Sequence, residues 1–463
     1  MKKMRLILLA AGMMVSVASF MFSGCTKEGP AGPAGANGTN GTNGTNGTDG
    51  KDANETCKQC HSAAVVDAIA VEFQMAKHSW GTTAFSESGN TGCSPCHEQK
   101  AFIYMCKNNI PATFTFNSTT QKWTNDYSSI PSDAIGAISC WTCHSSLHTT
   151  YDTTDLAFTT VAPVPMTMWA GRADKTIDLP ARGGSSNLCV KCHQPRPVTC
   201  GNDPSGRLLN YDSLVLAPKA VQYDSAAGAK NTGVRPSYRL HVHYGAIGGV
   251  YAGKGGVEFG TGYSNSAHTT AAACQDCHMA DPMTGVAGGH GFNVRNGLET
   301  ALSSGTTWNF NGCNVAGCHA DSPIDASSGK WKNTRADVKK LLDDLAAKIN
   351  ECGQGHDILH ADATTSNLWA GVSTGNYDGY LDIYDPSTNV AGYWQNPYPA
   401  GSWTADQKAY NKTLQKFPKL LNVQMGALIN FQFCLREYSL GIHNTQYVKT
   451  LMNNTLDALN ANL

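Results

Sequence analysis

Five short stretches of this 463-residue chain repeat one spacing of two reactive residue types: Cys57-Lys58-Gln59-Cys60-His61, Cys93-Ser94-Pro95-Cys96-His97, Cys140-Trp141-Thr142-Cys143-His144, Cys189-Val190-Lys191-Cys192-His193 and Cys274-Gln275-Asp276-Cys277-His278. In each, two residues separate the thiols and a histidine follows the second thiol directly. With 17 cysteines and 15 histidines scattered at random, about 0.02 such copies are expected, so the repetition is not chance. The chemistry that suits this spacing is covalent: two thiols add to the two vinyl groups of one haem, and the adjoining imidazole takes the iron from one side. Paired C-x-x-C knuckles closing a tetrahedral zinc site would leave the histidine after every second cysteine without a reason. A sixth stretch, Cys313-Asn314-Val315-Ala316-Gly317-Cys318-His319, has four residues between its thiols but keeps the histidine in place. It reads as a longer attachment motif, against the alternative of a local disulfide beside an incidental histidine. The expectation is six covalently bound c-type haems, held through Cys57, Cys60, Cys93, Cys96, Cys140, Cys143, Cys189, Cys192, Cys274, Cys277, Cys313 and Cys318. His61, His97, His144, His193, His278 and His319 are the expected proximal iron ligands.

Each iron has a second face, and nine further histidines are available for six of them: His78, His148, His241, His243, His268, His290, His356, His360 and His443. A lone histidine is ordinarily a solvated or hydrogen-bonded side chain. Nine in a chain that carries six haem motifs is a surplus, and it allows histidine on both faces of every iron. His356 and His360 lie four apart, on one face if helical, which suits a metal pair as well as spare haem ligands.

Several patches resemble the multihaem cytochromes c related to ammonia-forming cytochrome c nitrite reductases and octahaem reductases. Ser264-Asn265-Ser266-Ala267-His268, followed by Cys274 to Met279, is similar to that family's arrangement of an upstream histidine serving a neighbouring iron. Gly289-His290 resembles the ligand after that motif, and Gly441-Ile442-His443-Asn444 with Tyr447 and Leu451 resembles a C-terminal helix start whose histidine is axial. His241-Val242-His243-Tyr244-Gly245 with Gly253-Lys254-Gly255-Gly256 resembles a segment common in exported multihaem proteins, where one of the two histidines suffices. The resemblance spans roughly residues 55 to 463 and is specific only in these patches. Taken with the surplus, it gives His78, His148, His243, His268, His290 and His443 as the distal candidates. The nitrite reductases of that family mark their open-faced catalytic haem with lysine in place of the motif histidine, and no C-x-x-C-K occurs in this chain.

Cys25, Cys106, Cys200, Cys352 and Cys434 remain. Lys2, Lys3 and Arg5 precede an apolar run from Leu6 to Phe22, then Ser23-Gly24-Cys25, in the manner of a bacterial lipoprotein signal with Phe22 in place of the usual leucine. Lipidation of Cys25 is favoured over an ordinary signal peptide or an uncleaved anchor. Each of these exports the protein, and an oxidising compartment suits the remaining even set to two disulfides, Cys352 with Cys434 being the favoured pair, or to free buried thiols. After Cys25, glycine recurs every third residue from Gly29 to Gly50, the collagen spacing, but with proline only at Pro30 and Pro33. Such a polar repeat buries nothing; it is read as a tether, reaching roughly 75 Å at about 3.1 Å per residue when extended.

These segments give the expected organisation: signal peptide 1–24, lipid-anchored tether 25–54, multihaem region 55–330 and a helical C-terminal part 331–463 that supplies at least one distal ligand. Helical periodicity is clear only late, in the stripe Val338, Leu341, Leu342, Leu345 and Ile349, in a tract from Ala405 to Tyr438 with a kink at Pro418, and after Asn444. Between 55 and 330 Gly, Ser, Thr, Asn and Pro dominate. The fold class is therefore mainly α with extensive irregular loops, wrapped around a stack of c-type haems that supply much of its apolar core.

A formal net charge of -1 with no basic tract excludes nucleic acid as a partner. Haem propionates add about -1 per oxidised haem, so an acidic body would suit a positively charged redox partner. The sequence thus points to an electron carrier between a membrane oxidoreductase and other cytochromes or an extracytoplasmic acceptor. It would be anchored through lipid in the cell envelope, at the outer membrane or cell surface rather than the inner membrane. The competing class is an oxidoreductase of a small nitrogen or sulfur compound, which requires one iron with an open face.

Overall fold

The computed structural model describes residues 66–80, 88, 93–108, 114–117, 122–125, 137–147, 156–166, 175–196, 198, 209–224, 240, 242–243, 247–283, 287–296, 307–351, 359–361, 377–381 and 419–463. All of them belong to one compact unit, 53–463. The leader, Cys25, the tether and the first motif, Cys57, Cys60 and His61, lie outside the described residues. So do His148, His241, His356, Cys200 and Cys352; His360 lies in a short strand, Leu359–Ala361.

The described chain is partly helical, with few strands and much irregular loop. Up to residue 320 its helices are short: α1 (Ala68–Met75), α2 (Lys77–Trp80), α3 (Ser94–His97), α4 (Gln99–Lys107), α5 (Cys140–Cys143), α6 (Ser186–Cys192), α7 (Tyr211–Leu216), α8 (Ile247–Tyr251), α9 (His268–Ala271) and α10 (Cys274–His278). Three long helices follow: α11 (Gly329–Glu351), α12 (Asn422–Leu435) and α13 (Thr445–Asn462). The described strands pair as antiparallel two-stranded ladders, one of which joins Val221–Tyr223 to Leu420–Leu421.

The stripe on α11 does what its periodicity predicts: Val338, Leu342, Leu345 and Ile349 are buried, with Leu341 packed at the margin. Its outer face carries the i,i+4 pairs Lys339–Asp343 and Lys340–Asp344, each at 2.5 Å. α13 begins where Asn444 caps it, the side-chain oxygen accepting from Tyr447 N at 3.3 Å. The tract expected over 405–438 differs. From Lys419 onward Leu420 and Leu421 are drawn into the ladder with Val221–Tyr223 and a helix runs Asn422–Leu435, while 405–418, with the kink expected at Pro418, lies outside the described residues. Every residue of α12 is buried, which explains why it shows no amphipathic stripe.

One apolar core unites the three long helices with segments from Val164 to Phe259, so the C-terminal part and the inner stretch of the motif region share a single interior. Buried Asn430 stitches them: its Oδ1 accepts from Val257 N at 2.7 Å, and its Nδ2 donates to Val257 O and to Thr455 Oγ1, both at 2.8 Å. A second, small cluster of Ala101, Phe102, Met105 and Leu188 has the motif thiols Cys143 and Cys192 packed against it. No described helix is long and apolar enough to cross a membrane.

Candidate functional site

Each described motif folds as a single tight turn. His97 N, His144 N and His193 N donate to the carbonyls of Cys93, Cys140 and Cys189 at 3.1, 2.9 and 3.0 Å, and the fifth motif, Cys274–His278, forms the whole of α10. Residues i, i+3 and i+4 share one helix face, so both thiols and the imidazole point to the same side. The longer stretch closes in the same way: His319 N donates to Cys313 O at 3.0 Å, spanning six residues instead of four. The two extra residues are absorbed in the turn at Gly317, whose φ is +82°.

The turns are packed against one another. Cys96 and Cys192 are hydrogen-bonded thiols, as are Cys189 with Cys274 and Cys277 with Cys313, and Cys143 lies within electrostatic reach of Cys189 and Cys192. Thiol neighbours and burial push Cys189, Cys192 and Cys277 well above the usual thiol range. Gly312 makes one approach possible: a Cβ there would collide with Asp276 O, between the cysteines of the preceding motif.

Across from the thiols, the histidines meet in pairs that join each motif to a distant segment. Ring centroids are 6.4 Å apart for His97 and His243, 6.1 Å for His193 and His78, 6.1 Å for His278 and His443, and 6.3 Å for His319 and His268. His144 lies within electrostatic reach of His290. Four of the six expected distal histidines thus face four of the six motif histidines, one each, and a fifth, His290, is within electrostatic reach of His144. Among the described residues no three His, Cys, Asp or Glu side chains converge as a metal cage.

The rings are oriented from behind. Nδ1 of His144, His268 and His278 lies 3.0, 3.2 and 2.9 Å from the carbonyls of Leu156, Ile442 and Phe292. A carbonyl only accepts, so Nδ1 carries the proton and Nε2 keeps a free lone pair. His443 Nδ1 instead meets a carboxylate, Glu437 Oε2, at 2.8 Å. Burial, followed by the neighbouring imidazoles, lowers His78 to about 4; burial and His443 lower His278 to about 4, so both rings are neutral at pH 7.

Backbone strain concentrates here. The described non-glycine residues with positive φ are Arg182, His243, Phe292, Tyr438 and Leu440. His243 is itself a facing histidine, and Phe292 supplies the carbonyl to His278 while its ring contacts His78 at 5.0 Å and His290 at 5.9 Å. Tyr438 and Leu440 lead into His443, and Arg182 pairs with Asp276 at 3.2 Å. At about 1–3 kcal/mol each, such conformations persist where surrounding structure enforces them, typically at functional sites.

The supporting residues were not visible in the sequence. Glu72, whose Oε2 accepts from His290 N at 2.8 Å, lies 218 positions away, and Phe292 and Glu437 belong to no spacing pattern. Cys106 and Cys434 are free thiols, so the expected Cys352–Cys434 disulfide is absent; Cys434 is enclosed within the all-buried α12, and burial raises its thiol far above the usual range. Burial likewise raises Cys106 to about 11. No protein-family model, curated protein or solved structure matches the chain.

Proposed function

We propose that this protein is a hexahaem c-type cytochrome lipoprotein that carries electrons across or out of the cell envelope through haems with histidine on both faces. The observation that carries the reading is the separation of the four measured histidine pairs, 6.1 to 6.4 Å between ring centroids. Two imidazoles on opposite sides of one metal stand about 6.2 Å apart, given about 2.0 Å from metal to nitrogen and roughly 1.1 Å from nitrogen to ring centre. Each of these pairs joins a motif histidine to one that the sequence nominates for the opposite face. The donor set fits haem as well: each of these four centres offers two thiols and two imidazoles, which would hold a haem c by covalent attachment and by iron ligation.

Bound haem supplies a one-electron iron couple, with histidine on both faces favouring low potential. The chain's own residues hold the group through paired thiols, present Nε2 from each side, fix the rings through Nδ1 and keep neighbouring centres in contact. Cys96–Cys192, Cys189–Cys274 and Cys277–Cys313 link the second, fourth, fifth and sixth motifs in series, an arrangement suited to transfer from centre to centre. The redox partners are a membrane oxidoreductase and other cytochromes, and Cys25 is the lipid-bearing residue.

Haemochrome quantitation with intact mass and EPR of the oxidised protein tests this. Six haems, all low-spin, are expected; a mass gain of fewer than five haems, or a dominant high-spin ferric signal, overturns it.

A further inference from the structure

We propose that Glu437 holds the haem of Cys274, Cys277, His278 and His443 at a lower potential than its ligand set alone would give, by drawing on the Nδ1 proton of His443. The inference rests on the haem reading and adds to it a residue that distinguishes one centre from its neighbours.

Glu437 has no solvent exposure. Its Oε2 accepts from His443 Nδ1 at 2.8 Å and from Ser439 Oγ at 2.6 Å, and its Oε1 accepts from Gly441 N at 2.7 Å. A peptide N–H can only donate, and a histidine whose Nε2 faces a metal can only donate from Nδ1. Both oxygens therefore act as acceptors, as in a carboxylate. The reversed backbone of Tyr438, Leu440 and Gly441, with φ of +63°, +56° and +85°, brings the acid back to a ring six residues further on. Gly441 is required there, because a Cβ would press on Val338 Cγ2 at 2.5 Å.

The buried carboxylate has a cation within electrostatic reach. Arg335, on α11 with Val338, interacts electrostatically with Glu437, and its guanidinium sits 4.9 Å from the Trp308 ring centre and 5.3 Å from that of Trp331. A carboxylate anchored this way draws proton density from Nδ1 and strengthens Nε2 as a donor, which favours the oxidised metal. The carbonyls behind His144, His268 and His278 do this only weakly. Glu72, the comparable acid beside His290, lies 3.9 Å from Nδ1, too far for a hydrogen bond, and spends its oxygen on the backbone N–H.

The test is Glu437→Gln in the full-length holoprotein, read by haemochrome count, spectroelectrochemical titration and EPR. Six haems are expected to remain, with one midpoint rising by a tenfold change in its oxidised-to-reduced ratio, about 59 mV for one electron, and one low-spin signal shifting. Ser439→Ala loosens the same turn but leaves the carboxylate, and is expected to leave that midpoint in place or lower it. Six unmoved midpoints in a six-haem Glu437→Gln protein overturn the proposal, as does an equal rise in Ser439→Ala. A wild-type protein without covalent haem overturns the underlying reading instead.

Discussion

From Gly329 onward the described chain buries leucine, valine and phenylalanine of long helices against one another, whereas between Ser94 and His319 its motif helices run one or two turns and meet through thiols and imidazoles. The first region carries its cohesion in side chains. The second joins that core through segments from Val164 to Phe259, Val190 of the fourth motif among them, and has the small Ala101, Phe102, Met105 and Leu188 cluster beside its motifs; on the proposed function the rest of its order comes from groups that the thiols and histidines would hold. The two regions are held together differently and should respond to different perturbations.

The largest expected effect is a split response. Replacing Cys189 and Cys192 by alanine removes the proposed attachment point, whose thiols are hydrogen-bonded to Cys274 and Cys96 of two other motifs. Hydrogen exchange should then lose protection over 93–147 and 185–196 while α11, α12 and α13 stay protected. Uniform loss across both regions would break the contrast. Leu345→Ala is the converse: burial at 0% exposure predicts a loss of about 2–5 kcal/mol, seen as a lower melting temperature with an unchanged haem count. Asn444→Ala should cost about 2 kcal/mol, because the side chain caps α13 and also donates to Val250 O and Tyr251 O at 3.1 and 3.2 Å. The smallest effect is Lys340→Ala, which removes a surface i,i+4 pair and should change stability by no more than about 0.5 kcal/mol; a chemical-denaturation curve measures it.

What the sequence made legible follows the same division. The spacing of Cys and His is local, so each motif could be read directly, and the α11 stripe repeats at the helix period. Which histidine faces which motif is a long-range matter, decided by how the loops return, and no local pattern encodes it. α12 was legible only as part of a longer expected tract, because a helix buried on every side carries no period to mark its ends, and its start at Asn422 was set by a strand partner some 200 residues earlier in the chain. Glu437 was hidden for another reason: it reaches His443 because three turn positions, Tyr438, Leu440 and Gly441, adopt reversed backbone, which sequence leaves unstated except at Gly441.

The histidine pairs also bear on the order of assembly. His78 with His193, His97 with His243, His144 with His290, His268 with His319 and His278 with His443 mark out spans that overlap in succession, so any nick between residues 78 and 443 falls inside at least one. Topology rich in such distant closures folds slowly, since each loop's entropy is lost before its contact is gained. The His268–His319 span is the shortest and costs the least loop entropy to close, whereas His278 waits for the start of the last helix. In a chain made from its N-terminus, the centre beside Glu437 is thus the last of the five to be completed, and the arrival of α13 latches the interlaced whole.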